Sequence, residues 1–174
     1  MPQFAEFEPA AAWLKRHPQV RCVDLLLADL MGIPRGKRVT AAELEGVHGS
    51  GLLLPGSMFA LDVLGGTVQS TGLGFDEGDA DRVCLPIAGT LVSVPWLGAD
   101  IAQMQVSMYE HDRTPFHGDP RHVLESVVAR FTALGLQPVM AVELEFYLVD
   151  RERTPAGHAQ PPRQPLTGRR EVKT

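Results

Sequence analysis

Residues 20–40 read VRCVDLLLADLMGIPRGKRVT. A β-branched and leucine-rich run of strand length is closed by the turn-forming Gly32, Pro34 and Gly36 and followed by KRVT, which is the grammar of a hairpin. On its N-terminal side, residues 9–16 form a short predicted helix with Pro9 in its first turn. That helix stops before His17, because Pro18 restricts the residue preceding it. On its C-terminal side, Thr40 and Glu43 make a capping box, so a helix is expected to begin at Ala41 and end near Gly49.

From 52 to 109, short apolar runs alternate with turn residues: LLLP, SMFALDV, RVCLPI, TLVSVPW and QMQVSMY. Their period is that of strands, and a sheet with one helix laid across it makes an α+β domain. The glycines of GGTVQSTGLGFDEG (65–78) predict a long loop, and long loops inside compact domains tend to be functional. EHDRTPFHG (110–118) reads as a linker. Beyond it, Asp119 is a good N-cap and Pro120 suits the first helical position. Leu124, Val127, Val128, Phe131 and Leu134 share one helical face, and Gly135 ends the helix. PVMAVELEFYLVD (138–150) then reads as a strand after Pro138, and the proline-rich tail as an irregular loop. The expected division is 1–112 and 113–174.

The chain has 174 residues, 44% hydrophobic, 21% charged and 6% aromatic, too apolar for a disordered chain. Cys22 and Cys84 alone cannot build a disulfide framework or a closed zinc site, and read as buried thiols of a reducing cytoplasm. The net charge of −5 argues against nucleic acid as the main partner. The tail 151–174, with six bases against two acids, is basic but lacks the aromatic residues and apolar face that nucleic acid or a membrane would need. The longest uncharged runs, 46–61 and 83–99, are broken by glycine and proline, so no membrane span is expected. The acidic N-terminus MPQFAEFEPA is unlike a signal or transit peptide, which leaves a cytoplasmic location as the expectation.

The residues that could carry chemistry concentrate on the last predicted strand. Alternation puts Met140, Val142, Leu144, Phe146 and Leu148 on one face and Glu143, Glu145 and Tyr147 on the other. The two glutamates then stand roughly 6.6 Å apart at Cβ, so each can serve one of two neighbouring hard cations or both can grip one. A strand with one wholly apolar face belongs inside a sheet, which predicts a walled cleft for the acids. The competing structural reading is an edge strand whose polar face looks at water. A glycosidase acid and nucleophile is disfavoured, since such pairs usually come from different strands. His111, Asp112, His117 and Asp119 read as solvated turn residues rather than metal ligands. The glycine loop carries neither a P-loop signature nor dinucleotide spacing. Asp62 reads either as a turn former or as a carboxylate aimed into a site. Arg35 and Lys37 read most simply as hairpin solubilisers, with contact to an anion as the alternative.

AVELEFYLVD (141–150), preceded by DPRHVLESVVARFTALGL (119–136), resembles the start of the catalytic domain of the glutamine synthetase family. In that family a strand bearing Glu-x-Glu supplies ligands to two divalent metals. VDLLLADLMGIPRGKRV (23–39) is similar to the family's small N-terminal β-grasp domain, and QPPRQPLTGRR (160–170) to its γ-glutamylpolyamine synthetase branch. The resemblance implies a β-grasp-like domain followed by the first helix and strand of a catalytic domain. It assigns Glu143 to the metal that engages the nucleotide phosphates and Glu145 to the metal nearer the amino-acid substrate. Asp62 takes the place of an aspartate that reaches a neighbouring subunit's active site and helps bind ammonia. The Asp-Gly-Ser-Ser context of ammonia-using members is absent, the chain reading LDVLGG (61–66), which fits an altered amine acceptor.

Members of that family are considerably longer, so the resemblance implies an N-terminal part of such an enzyme, inactive alone. Its implied reaction is ATP-driven amide formation between glutamate and a polyamine or ammonia through a γ-glutamyl phosphate, with Mg2+ or Mn2+ as cofactor and stacked rings as the assembly. The rival from another class is a non-catalytic β-grasp module used for docking or oligomer contacts.

Overall fold

The computed structural model describes residues 4–74 and 78–170. It divides into two units, 1–137 and 138–174.

The first unit is built on the hairpin. Its strands β1 (Cys22–Ala28) and β2 (Pro34–Thr40) pair antiparallel, Cys22 opposite Thr40 and Ala28 opposite Pro34. Along β1 every second residue points inward: Val23, Leu25 and Leu27 are buried. Asp24, between them, points outward and receives both Nε and Nη2 of Arg38 across the strands, at 2.6 and 3.0 Å. Gly36 is required by close approach, since a Cβ there would collide with the Leu25 carbonyl of the paired strand.

Strands β3 (Leu52–Pro55), β4 (Asp81–Pro86), β5 (Val92–Ser93) and β6 (Ile101–Tyr109) complete a mixed sheet of order β2-β1-β6-β4-β3, with β5 also on β6. The nine-residue β6 is the spine, running parallel to β1 and antiparallel to β4. Helix α1 (Phe7–Arg16) and helix α2 (Leu44–Ser50) pack on the face that carries Val23, Leu25, Leu27, Met104 and Met108, with Phe7, Trp13 and Leu14 closing over it. The expected capping box is present. The Glu43 carboxylate accepts the Thr40 backbone N–H at 2.7 Å and its hydroxyl at 2.8 Å, and these bonds lower its pKa. The first turn, Ala41–Glu43, is 3-10 rather than α.

Three expectations about elements of the first unit are corrected. SMFALDV is not a strand: Gly56–Ala60 forms a 3-10 turn that buries Ser57, Phe59 and Ala60, with the Phe59 ring 5.7 Å from that of Phe116. A short apolar run is equally suited to a buried turn, and periodicity alone does not separate the two. Of TLVSVPW only Val92 and Ser93 join the sheet, because Pro95 cannot donate to a ladder and the Leu97 N–H turns back onto the Val94 carbonyl. The predicted linker at 110–118 is a tight turn folded against β6, the Phe116 N–H bonding the Met108 carbonyl and the Phe116 ring wholly buried.

Helix α3 (Pro120–Ala133) starts as expected. Asp119, 2% exposed, accepts the Arg121 N–H at 2.9 Å as its cap. Its second oxygen takes the Met108 N–H of β6 at 2.8 Å. His122 bonds the Met108 carbonyl at 2.7 Å. The apolar face of α3 is nevertheless exposed at Leu124, Val127, Phe131 and Leu134.

In the second unit, residues 138–149 carry no ladder among the described residues, contrary to the strand expected there. The physical reason is pairing. A strand exists only through a neighbour's N–H and C=O groups. Among the described residues of 138–170, an isolated bridge joins Arg163 and Arg170. The tail is irregular, as expected, but organised by charge: Arg170 bonds the Asp150 carboxylate at 2.6 Å and Glu152 at 3.2 Å, and Arg163 lies 3.6 Å from Glu152.

Candidate functional site

Asp62 belongs to the first unit, and Glu143 and Glu145 to the second. Each place is built separately.

The Asp62 loop is closed at its base by a bridge between Leu61 and Thr67 and by the Val68 N–H on the Ala60 carbonyl. Within it the Asp62 N–H donates to the Gly66 carbonyl, and the Gly65 N–H donates back to the Asp62 carbonyl. Asp62 Oδ1 accepts the N–H groups of Leu64 and Gly66, each at 2.8 Å. One carboxylate oxygen is therefore the turn former that the sequence allowed. Oδ2 takes no part in those bonds, and Gly66 leaves space beside it: a Cβ at position 66 would sit 3.0 Å from Oδ2. The apolar side chains of Val63 and Leu64 are exposed at the tip.

Beside this loop the structure corrects the reading of Arg35 as a solubiliser. Asp29 follows β1 and is 2% exposed. It accepts the N–H groups of Met31 and Ile33, each at 2.8 Å, and the Nε of Arg35 at 2.6 Å. Burial alone would raise its pKa, but the bonds from Arg35, Ile33 and Met31 together outweigh it and hold the carboxyl below the usual range. Arg35 Nη2 then donates to the Asp62 carbonyl at 2.9 Å. Sequence reasoning passed over Asp29. Its signal was an aspartate opening a turn that contains Gly32 and Pro34, the position at which a side-chain oxygen bonds backbone two residues on.

Glu143 and Glu145 are exposed, as are Val142, Leu144, Phe146 and Tyr147 around them, so the walled cleft expected of a sheet does not enclose them here. The end of the segment lines a groove of about 340 Å3 formed by Tyr147, Leu148, Val149, Gln160, Pro161 and Pro162. As a donor set the two carboxylates fit a hard divalent cation, which prefers oxygen. They fill only part of a six-coordinate shell, and among the described residues no group of three or more potential ligands comes together. Of the residues read as solvated turn formers, Asp112 fits, its carboxylate bonding the N–H and hydroxyl of Thr114, whereas Asp119 is buried and caps α3 and His111 bonds the Asp81 carbonyl at 3.0 Å. Both cysteines are free thiols, Cys84 buried and Cys22 partly so. No helix among the described residues is long and apolar enough to cross a membrane.

Comparison with known proteins gives a consistent picture. The family described as glutamine synthetase, catalytic domain, matches residues 117–174, a range that includes Glu143 and Glu145. The γ-glutamylputrescine synthetase PuuA of Escherichia coli K12 is 41% identical over 162 residues, 93% of this chain and 34% of that protein. A glutamine synthetase of Pyrococcus horikoshii is 30% identical over 131 residues, 75% of this chain and 26% of that one. Among solved structures, a novel glutamine synthase homolog superposes with a TM-score of 0.56 at 26% identity, over 66% of this chain and 27% of its own. The complex of GmaS with ADP superposes at 0.56 over 71% of this chain and 25% of its own, and at 22% identity it speaks for the fold alone. The chain thus spans about a third, or less, of the length of the relatives it matches.

Proposed function

We propose that this chain, which is similar to members of the glutamine synthetase family, forms the N-terminal part of an ATP-dependent ligase joining the γ-carboxylate of glutamate to an amine, with an aliphatic polyamine of the putrescine class as acceptor. The observation that carries this reading is the 41% identity with a γ-glutamylputrescine synthetase over 93% of the chain. Lower identity to a glutamine synthetase, 30%, and the LDVLGG context of Asp62 favour a polyamine over ammonia. In this reading residues 1–112 act as a β-grasp-like domain, which the parallel β1–β6 pair beside an antiparallel hairpin supports. Residues 113–174 open the catalytic domain. The assembly is a homo-oligomer of stacked rings in the cytoplasm.

Glu143 and Glu145 would hold Mg2+ or Mn2+, which when bound neutralises phosphate oxygens of ATP. Phosphoryl transfer from ATP to the γ-carboxylate of glutamate gives an acyl phosphate and ADP, and attack by the amine releases phosphate. The chain's own share in this is positional. Glu143 and Glu145, two residues apart in one exposed segment, would present their carboxylates to the ion. In the first domain, Asp62 Oδ2 accepts an N–H of the incoming ammonium while Oδ1 keeps the loop closed.

The test uses the full-length protein with glutamate, ATP and either putrescine or ammonium, reading phosphate release and γ-glutamyl amide by mass. Putrescine-dependent amide formation is expected, abolished by Glu143→Ala and by Glu145→Ala. Asp62→Asn keeps an oxygen for Leu64 and Gly66 but removes the charge. It is expected to raise the KM for putrescine about tenfold, the worth of one charge-assisted hydrogen bond, with the KM for glutamate unchanged. Amide formed from ammonium and none from putrescine, or wild-type turnover in both glutamate variants, would contradict the proposal.

A further inference from the structure

The Asp62 loop is a small body closed on its own hydrogen bonds, and one side chain braces it from outside. Arg35, 27 residues earlier in the chain, reaches the Asp62 carbonyl with Nη2 at 2.9 Å. The same guanidinium is fixed through Nε on the buried Asp29 carboxylate at 2.6 Å, and Asp29 is itself held by two backbone N–H groups of the hairpin turn. A guanidinium is planar, so fixing Nε on one partner fixes the direction in which Nη2 points. The bonds among Asp62, Leu64, Gly65 and Gly66 set the loop's internal shape, the Leu61–Thr67 bridge and the Val68 N–H on the Ala60 carbonyl tie its base, and Arg35 joins it to the hairpin.

We infer that Arg35 is a positioning residue for amine recognition: clamped on Asp29, it holds the Asp62 backbone and thereby sets where the Asp62 carboxylate is presented to an aliphatic ammonium. The inference rests on the reading of Asp62 as the amine-facing carboxylate. It assigns to a hairpin arginine a role in acceptor affinity, exerted through a main-chain carbonyl, that differs from solubility and from hairpin stability.

Arg35→Lys separates these roles. Lysine keeps a charge for Asp29 but has one nitrogen, which cannot serve Asp29 and the Asp62 carbonyl in the same geometry. In the full-length protein, Arg35→Lys is expected to raise the KM for putrescine about fivefold, within the range of one lost hydrogen bond, with the KM values for glutamate and ATP unchanged. Hydrogen exchange supplies a second readout: in the unaltered protein the Leu64 and Gly66 amides are expected to be protected, and in Arg35→Lys to exchange faster while β1 amides do not. An unchanged putrescine KM in Arg35→Lys, beside a raised one in Asp62→Asn, overturns the positioning role and leaves the Asp62 reading standing. Equal increases in all three KM values, or coil-like exchange of Leu64 and Gly66 in the unaltered protein, overturn it as well. An unchanged putrescine KM in Asp62→Asn removes the Asp62 reading itself, and the inference with it.

Discussion

Asp29 shows what a single buried carboxylate does for this hairpin. Three donors converge on it, so truncation leaves a cationic guanidinium and two backbone N–H groups without their acceptor. Asp29→Ala is expected to cost about 3 kcal/mol, in the range for breaking a buried pair by removing one partner. A urea midpoint shift at unchanged m-value checks it. The depressed pKa also fixes the sign of the pH dependence. The ionised form is favoured by folding, so this contribution is fully present above the unfolded value of about 3.9 and is lost as pH falls through the lower folded value. Stability that Asp29→Ala does not alter across pH 2 to 5 would contradict the assignment. Cys84 makes the complementary case. Burial first, then Asp119 and Asp81, push its thiol up to about 12. At pH 8 a maleimide should therefore label Cys22 and leave Cys84 unlabelled until the chain unfolds, as read by mass spectrometry. The sequence revealed Cys84 as a buried thiol because it lies in an apolar run. It did not reveal the Asp29–Arg35 pair, because a hairpin rich in bases looks like any solvated edge until one knows which acid is inside.

At the scale of elements, caps and turns were legible and ladders were not. Thr40 with Glu43, Pro18 after α1, and Asp119 with Pro120 each announce a boundary through chemistry local to a few residues, and each stands where expected. Strands depend on distant partners. RVCLPI and QMQVSMY found them in each other, whereas SMFALDV, no less apolar, buried Phe59 and Ala60 in a 3-10 turn. The same dependence explains residues 138–149, whose alternation is that of a strand and whose apolar face lies exposed in this structure. Two substitutions test the elements. Gly36→Ala pushes a methyl group into the Leu25 carbonyl and is expected to cost about 2–3 kcal/mol, with faster exchange confined first to the β1–β2 ladder. Asp119→Ala removes a helix cap and the acceptor of a β6 amide together, for about 3 kcal/mol, and should expose the Met108 amide to exchange while leaving β1 protected.

For the molecule as a whole, the similarity to glutamine synthetases and the mixed α/β organisation were readable, because a motif and its flanking helix survive as contiguous strings. Glu143 and Glu145 are proposed as the metal-holding oxygens. The most direct measurement is titration of the full-length protein with Mn2+, followed by electron paramagnetic resonance of the free ion, in the unaltered protein and in Glu143→Gln and Glu145→Gln. Each variant is expected to lose one binding site, or to bind it about a hundredfold more weakly, as removal of a charged ligand requires. Unchanged stoichiometry and affinity in both variants would contradict the claim.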